Sequence, residues 1–127
     1  MKLLSQLFFL EEEIEEPGSS RYLLRINPQH EIYRAHFPGN PITPGVCLIL
    51  LVSELLERRL ARTLALKQIV NVKFLQVLSP TEQTQVEVLF RSIEQTETHY
   101  HLKAVVQHDD HRFAQLSMIY ADTDDAR

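Results

Sequence analysis

Residues 35–60 constrain the fold of this chain most strongly, because a loop rich in proline and glycine runs directly into a long apolar segment. Three of the six prolines and two of the three glycines lie between Pro38 and Gly45. Proline fixes φ, so such a loop has few conformations to lose on folding. We therefore expect the loop to hold His36, at its start, in a fixed position.

The residues after the loop predict a helix. Thr43 is a good N-cap, and Pro44 suits the first helical position, where its missing N–H would have had no partner. No further proline or glycine interrupts the chain before Arg62, which allows a helix over residues 44–62 of about 28 Å at 1.5 Å per residue. Residues 46–52 are all apolar, so we expect the first two turns to be buried on every side.

Length, charge and cysteine content narrow the class of protein. The 127 residues predict one domain, and 44% hydrophobic residues are enough for a proper core. The net charge of −4 gives no reason to expect nucleic acid as a partner. The single cysteine, Cys47, lies in the apolar run, where a buried hydrophobe is the expected role, and a reducing compartment fits.

The amino-terminal residues do not predict an export signal or a membrane anchor. Residues 3–10 are apolar apart from Ser5 and Gln6, but they run into glutamates without a cleavage site of small residues. No run approaches the roughly 18 apolar residues that a membrane-spanning helix needs. We therefore expect a soluble, cytoplasmic protein with no membrane partner.

The remaining chain reads mainly as strands. Residues 7–16 predict a strand, or a short helix that runs into a strand. Residues 21–27 predict a second strand, and residues 30–35 predict one helical turn. Alternating apolar residues then predict four more strands, at residues 64–78, 85–93, 99–107 and 113–121. The last six residues read as a frayed polar tail. Consecutive strands with short turns favour an antiparallel meander, so we expect an α+β fold in which a curved antiparallel sheet wraps around one long central helix.

Residues 36–46, HFPGNPITPGV, resemble the signature of the FabZ/FabA-type 3-hydroxyacyl-[acyl-carrier-protein] dehydratases. The order of elements is similar to theirs over nearly the whole chain, and residues 71–74, NVKF, resemble the lysine-phenylalanine strand that follows their helix. The resemblance implies a single hotdog domain over residues 1–127 that forms a dimer. It also implies that the substrate is an acyl thioester on an acyl carrier protein, in fatty-acid or polyketide-like biosynthesis. We expect no cofactor and no metal.

The same resemblance assigns roles to residues of the loop and the helix. Dehydration removes the proton alpha to the thioester carbonyl and protonates the departing β-hydroxyl, so a base and an acid are both needed. His36 matches the catalytic histidine, and its pKa range suits proton transfer near neutrality. The backbone N–H of Gly45 or Val46, at the positive end of the helix, would polarise the carbonyl. Phe37 and Phe74 would line the acyl site.

The expected acid is missing. In the resembled enzymes a Glu or Asp stands on the helix six residues after the proline that starts it, and this chain has Leu50 there. Leucine can neither donate a proton nor bind the leaving hydroxyl, and we expect Leu50 to be a substrate contact. Glu54, one turn further on the same face, would be a replacement acid or a structural carboxylate. Alternatively, a paralogue supplies the acid across a dimer interface, or the chain binds its carrier without turnover.

Several alternatives stay open from the sequence. An acyl thioesterase is the first rival, because the same fold hydrolyses thioesters when a carboxylate activates water. A non-catalytic, carrier-binding subunit of a heterodimer is the second, favoured by Leu50. Arg21, Arg25 and Arg34 would form a positive rim for an acidic carrier, or are scattered surface arginines. The histidines of residues 99–111 read as strand and turn residues rather than metal ligands.

Overall fold

The computed structural model describes residues 2–123 as six strands and two helices. The strands are β1 Phe8–Glu16, β2 Ser19–Ile26, β3 Leu64–Phe74, β4 Gln85–Gln95, β5 Tyr100–His108 and β6 His111–Asp122. The helices are α1 Ile32–Ala35, a single turn, and α2 Gly45–Leu60. The sequence predicted every one of these elements, with differences at their ends. Of the predicted polar tail, Asp122 belongs to β6, and residues 124–127 lie outside the described residues.

All six strands form one antiparallel sheet in the order β1-β2-β4-β5-β6-β3. β4, β5 and β6 are a meander of neighbouring strands, as predicted. β3 pairs with β6, from Leu64 opposite Asp122 to Phe74 opposite Ala114, so β3 is an edge strand. The prediction of an antiparallel sheet together with a helix is confirmed.

The core lies between α2 and one face of this sheet. The buried residues of the helix are Cys47, Leu48, Leu51, Val52, Leu55 and Leu56. They join a cluster with alternating strand residues, including Tyr22, Val88, Phe90, Leu102, Leu116 and Met118. Each fully buried large apolar side chain contributes about 1.5–3 kcal/mol, so this interface holds the helix on the sheet.

The start of α2 is not buried on every side, and this prediction is wrong for the described chain. Val46 is 59% exposed, and Ile49 and Leu50 are only half-buried. The sheet covers one side of the helix, so the apolar residues on its other side have no covering element among residues 2–123.

The predicted ends of the helix are also corrected. Pro44 is the N-cap, and the helix begins at Gly45. The proline ring fixes a helical φ of −61°, but the ψ of 142° is extended, so Pro44 itself is not part of the helix. Thr43 therefore does not cap the helix. At the other end Ala61 adopts a left-handed conformation, with φ 54°, and ends the helix two residues before the predicted end at Arg62.

β3 is shorter and more exposed than its alternation suggested. The strand ends at Phe74 rather than at residue 78, and none of its residues is buried within the described chain. Its exposed apolar side chains continue into the segment that follows, and they are Leu66, Ile69, Val70, Phe74, Leu75 and Val77. Leu64 and Val72 are half-buried against the core, whereas the exposed apolar side chains of β3 have no covering element among residues 2–123.

Candidate active site

The loop of residues 36–43, called the His36 loop here, is closed by backbone hydrogen bonds. The N–H of His36 donates to the carbonyl of Ile32 at 2.9 Å, so His36 ends α1. The carbonyl of His36 accepts from the N–H of Ile42 at 2.7 Å. Between them, Phe37 and Asn40 exchange two backbone bonds of 3.0 and 2.9 Å. These contacts fix the backbone beneath the imidazole, as the proline content predicted.

A buried pair of side chains anchors the His36 loop to the core. The hydroxyl groups of Tyr33 and Thr43 lie 2.8 Å apart, and both residues are buried. Burial raises the pKa of Tyr33 to about 12, so its hydroxyl stays neutral. The N–H of Thr43 donates to the carbonyl of Leu78 at 2.8 Å. This anchor was not predicted from the sequence, because neither residue type by itself indicates a buried pair across ten positions.

The start of α2 offers free hydrogen-bond donors. The N–H of Cys47 donates to the carbonyl of Pro44 at 2.9 Å, but no acceptor is found within residues 2–123 for the N–H groups of Gly45 and Val46. The helix dipole adds partial positive charge at this end. The ring of Phe74 packs directly on Gly45, because a Cβ built there would lie 2.6 Å from the ring's Cζ. Glycine is therefore the residue that allows this contact.

Two grooves flank the His36 loop, and they divide the predicted substrate-binding residues. The helix-start groove has a volume of about 530 Å³ and is lined by Gly45, Val46 and Phe74 together with Ile42, Thr43, Leu48 and residues 75–78. The Phe37 groove has a volume of about 430 Å³, and its walls include Tyr33, Arg34, Phe37 and Pro41.

His36 is exposed and lies between these grooves in the chain. Its ring centroid is 5.4 Å from that of Phe37, which lines one groove, and its carbonyl is bonded to Ile42, which lines the other. The imidazole of His36 is exposed, and His36 is not itself a lining residue of either groove. Leu50 lines neither groove and is half-buried against the core.

The carboxylate of Glu54 is fully engaged by the amino-terminal turn. It accepts hydrogen bonds from the N–H of Leu3, at 3.0 and 2.8 Å to its two oxygens, and from the N–H of Leu4 at 3.0 Å. Glu54 borders a separate cavity together with Leu4 and Arg58, and His36 does not line it. The structure therefore does not bring the two predicted catalytic residues together at one groove of this chain.

The three predicted rim arginines are separated. Arg21 pairs with Glu87 at 3.4 Å and Arg25 with Glu11 at 3.5 Å, so β2 presents neutralised charges. Arg34 lines the Phe37 groove and forms no ion pair within the described part of the chain. Only Arg34 thus lies where a positive rim beside His36 was expected.

Residues 2–123 contain neither a candidate metal site nor a candidate membrane span. No three His, Cys, Asp or Glu side chains in this range come close enough to hold a metal ion. Neither helix in the same range is long and apolar enough to span a membrane.

Solved structures of similar shape include a dehydratase complex and proteins described as hypothetical or putative thioesterases. The dehydratase heterocomplex ApeI:P from Xenorhabdus doucetiae matches with a TM-score of 0.73 and 19% identity, over 90% of this chain and 97% of that one. A hypothetical thioesterase with coenzyme A from Streptococcus pneumoniae matches with a TM-score of 0.65 and 11% identity, over 91% and 85%. The putative thioesterase yhdA from Lactococcus lactis matches with a TM-score of 0.65 and 10% identity, over 98% and 100%. At these identities the likeness shows the fold.

The sequence itself places the chain in a family. No functionally curated protein sequence matches it significantly. The family described as "ApeI-like: ApeI dehydratase" matches residues 12–116, which include the His36 loop, α2 and most of the sheet. The dehydratase resemblance drawn from residues 36–46 is thereby confirmed, and the chain belongs to the ApeI-like dehydratase family.

Proposed function

We propose that this chain is one half of a composite 3-hydroxyacyl-thioester dehydratase, in which it supplies the base and a related chain supplies the acid. The observation that carries this proposal is the contrast between Leu50 and Glu54. Leu50 has no proton to give at the acid position, and the carboxylate of Glu54 is held by three N–H contacts of Leu3 and Leu4.

The exposed edge of the sheet supports a partner chain. Leu66, Ile69 and Val70 on β3 are exposed apolar residues on a strand whose outer side is unpaired among residues 2–123. An unpaired apolar edge strand is a pairing surface, and contiguous exposed apolar residues mark interaction sites. We infer a hotdog domain whose curved sheet wraps α2, with a second chain, identical or paralogous, placed against β3 and the start of α2.

A heteromeric partner fits both the family and the missing acid. The ApeI:P structure from Xenorhabdus doucetiae is a dehydratase heterocomplex, and this chain is similar to it over nearly its full length. A homodimer of the present chain would have two His36 residues and two Leu50 residues, and so no helix acid at either site. A paralogue with Glu or Asp on its helix would complete one site.

The chemistry then uses three parts. His36 removes the proton alpha to the thioester carbonyl, and its exposed ring is accessible for this role. The N–H groups of Gly45 and Val46 receive the carbonyl oxygen as negative charge develops on it. The partner's carboxylic acid protonates the β-hydroxyl, which leaves as water, and a 2-enoyl thioester remains. The helix-start groove, with Val46 and Phe74, accommodates the acyl chain next to the free amides.

Glu54 is the weaker candidate for the acid. A hydrogen bond to a charged group contributes about 1.5–3 kcal/mol, so freeing this carboxylate for substrate would sacrifice several such contacts. Leu3 and Leu7 are fully buried beside it, which makes displacement of the amino-terminal turn costly as well. We therefore assign Glu54 to the anchoring of this turn.

The acyl group is proposed to arrive on an acyl carrier protein. Arg34 is an exposed cation in the Phe37 groove, next to His36 in the chain, where it would meet the phosphate of a phosphopantetheine arm. Such substrates belong to fatty-acid or polyketide-like biosynthesis. The free, buried Cys47 suits a reducing compartment, and we place the reaction in the cytoplasm.

A thioesterase is the second candidate, favoured by the structural likeness to two thioesterases. Hydrolysis needs a carboxylate to activate water, and Glu54, already bound by backbone N–H groups, suits that role poorly. A silent, carrier-binding subunit is the third candidate and would leave His36 without a chemical role.

A single assay separates these functions. The purified chain is incubated with 3-hydroxyacyl and saturated acyl thioesters of a carrier protein, alone and with a related chain that carries a helix Glu or Asp. We expect enoyl thioester to form only in the mixture. Free thiol from either substrate would favour the thioesterase, and a mixture whose activity is unaffected by His36→Asn would favour the silent subunit.

A further inference from the structure

A second site candidate lies on the face of the sheet opposite α2. Leu102 and Ala104 of β5 belong to the core beneath the helix, so Lys103 and Val105 point to the other face. Register places Lys103 opposite Ser117 on β6, and Ser117 is in turn opposite Asn71 on β3. A groove of about 330 Å³ opens here, and we call it the outer groove. Its lining residues are Asn71, Arg91, Lys103, Ala104, Val105, Arg112, Gln115, Leu116 and Ser117.

The charge of the outer groove is positive and uncompensated. Arg91, Lys103 and Arg112 are exposed, and none of them forms an ion pair within residues 2–123. No carboxylate lines this groove. In contrast, five other arginines of the same chain are paired with carboxylates, namely Arg21, Arg25, Arg58, Arg59 and Arg62. Three positively charged side chains without an ion-pair partner among residues 2–123 therefore line one groove, although the net charge of the chain is −4.

Neutral hydrogen-bonding groups complete the lining. Asn71 and Gln115 contribute side-chain amides, and Ser117 contributes a hydroxyl whose oxygen lies 2.7 Å from Nε2 of His101. Val105 is buried at the floor. Guanidinium groups bind phosphate oxygens through paired N–H donors, and ammonium, amide and hydroxyl groups fill the remaining acceptor positions. These hydrogen-bond donors and the apolar floor at Val105 match a small organic molecule that carries an anionic group.

We propose that the outer groove binds a phosphate monoester or pyrophosphate group of a small molecule. Its volume lies at the lower end of the range for small-ligand pockets, which favours a compact ligand over the surface of a macromolecule. The sheet separates it from the helix-start groove, so the ligand is not the acyl group undergoing dehydration. Nucleotides and phosphopantetheine share this anionic chemistry, and binding experiments distinguish them.

Calorimetric titration of the purified full chain with inorganic pyrophosphate tests the site. The double variant Lys103→Gln/Arg112→Gln removes two groove cations, and Lys2→Gln/Lys67→Gln removes two exposed cations outside the groove, so both variants have the same net charge. We expect the groove variant to lose affinity by about tenfold or more, since each charge-assisted contact is a strong one. The control variant should change by less than about twofold, because exposed charges at a distance are screened.

Parallel titrations with ADP and with pantetheine 4′-phosphate identify the source of the phosphate. If only one of these two ligands binds more tightly than pyrophosphate, the site also recognises the organic part of that ligand. If all three ligands bind equally, the site recognises the phosphate alone. Amide chemical shifts locate the site, with perturbations expected at Lys103, Arg112 and Ser117. The proposal is overturned if wild-type protein binds none of the three ligands, if both double variants lose affinity equally, or if the perturbations cluster at Gly45.

Discussion

The two ends of α2 differ in how completely their polar groups are used. At the carboxyl end, Glu57 accepts the N–H of Leu64 at 2.8 Å, and Arg58 forms a bidentate pair with Glu13 at 2.8 and 2.9 Å. One turn earlier, Glu54 accepts the N–H groups of the amino-terminal turn. At the amino end, the N–H groups of Gly45 and Val46 have no acceptor among residues 2–123.

The carboxyl end of α2 therefore contributes mainly to stability, and its amino end is available for function. Polar groups that are satisfied within a chain hold its elements together, whereas accessible donors and exposed apolar residues without partners are available to a ligand or a second chain. We therefore expect substitutions at the carboxyl end of α2 to change the free energy of unfolding. Substitutions at the amino end and in the His36 loop should change the reaction.

The largest effect is expected from His36→Asn in the reconstituted complex with the acid-bearing partner. Loss of a general base lowers kcat by about 100-fold or more. The free energy of unfolding should change by less than about 0.5 kcal/mol, because the imidazole is exposed and makes no hydrogen bond within the described residues. Steady-state kinetics and urea denaturation measure the two quantities. His99→Asn, in the turn between β4 and β5 and outside both grooves, is the control, and an equal loss of rate in both variants would contradict the assignment.

The next effect is on stability, from Glu54→Gln. An amide keeps the shape of the side chain but loses the charge and one acceptor oxygen, so three charge-assisted contacts weaken. We expect the free energy of unfolding to fall by about 2 kcal/mol in urea denaturation, with kcat of the complex unchanged. Glu97→Gln, in the turn between β4 and β5, is the matched control. A large drop in kcat without loss of stability would instead identify Glu54 as the acid.

A smaller effect on the reaction is expected from Gly45→Ala. The added Cβ would lie 2.6 Å from Cζ of Phe74, so the ring must leave its position over the helix start. We expect kcat/KM to fall by about tenfold, or about 1.4 kcal/mol, through the changed shape of the helix-start groove. We also expect the double variant Gly45→Ala/Phe74→Ala to be less impaired than the two single variants predict. The loss of kcat/KM, expressed as a free energy, should be smaller than the sum of the losses in Gly45→Ala and in Phe74→Ala. Strict additivity would show that the contact does not shape the site.

The smallest effect is expected from Glu13→Gln at the surface. Its hydrogen bond with Arg58 holds the pKa of the Glu13 carboxyl below the usual value. A lowered carboxyl pKa gives stability that is present above the unfolded-state pKa of about 4.3 and is lost as the pH falls through the folded-state pKa. We expect a loss of about 0.5 kcal/mol at pH 7 and a smaller loss as the pH falls through the folded-state pKa, compared with Glu12→Gln. A loss that does not shrink as the pH is lowered would contradict the ionic explanation.

The sequence predicted the positions of the helices and strands better than it predicted which of their residues are buried. Period-two alternation found the strands, and the proline pattern found the His36 loop, because these are local signals. The burial of Val46 was predicted wrongly and the exposure of much of β3 was not predicted, since an apolar run does not say whether the chain itself or a partner covers it. Likewise, the contacts of Glu54 join residues more than 50 positions apart, and no local pattern encodes them.

In the proposed mechanism this chain holds a competent base and carbonyl site and lacks only the acid. The most direct test is enoyl-thioester formation by purified Leu50→Glu without any partner chain, with Leu50→Gln as a variant of nearly the same size that has no acid proton. We predict at least a tenfold gain for Leu50→Glu over wild type and no gain for Leu50→Gln. A folded Leu50→Glu variant that is no more active than wild type would contradict the claim.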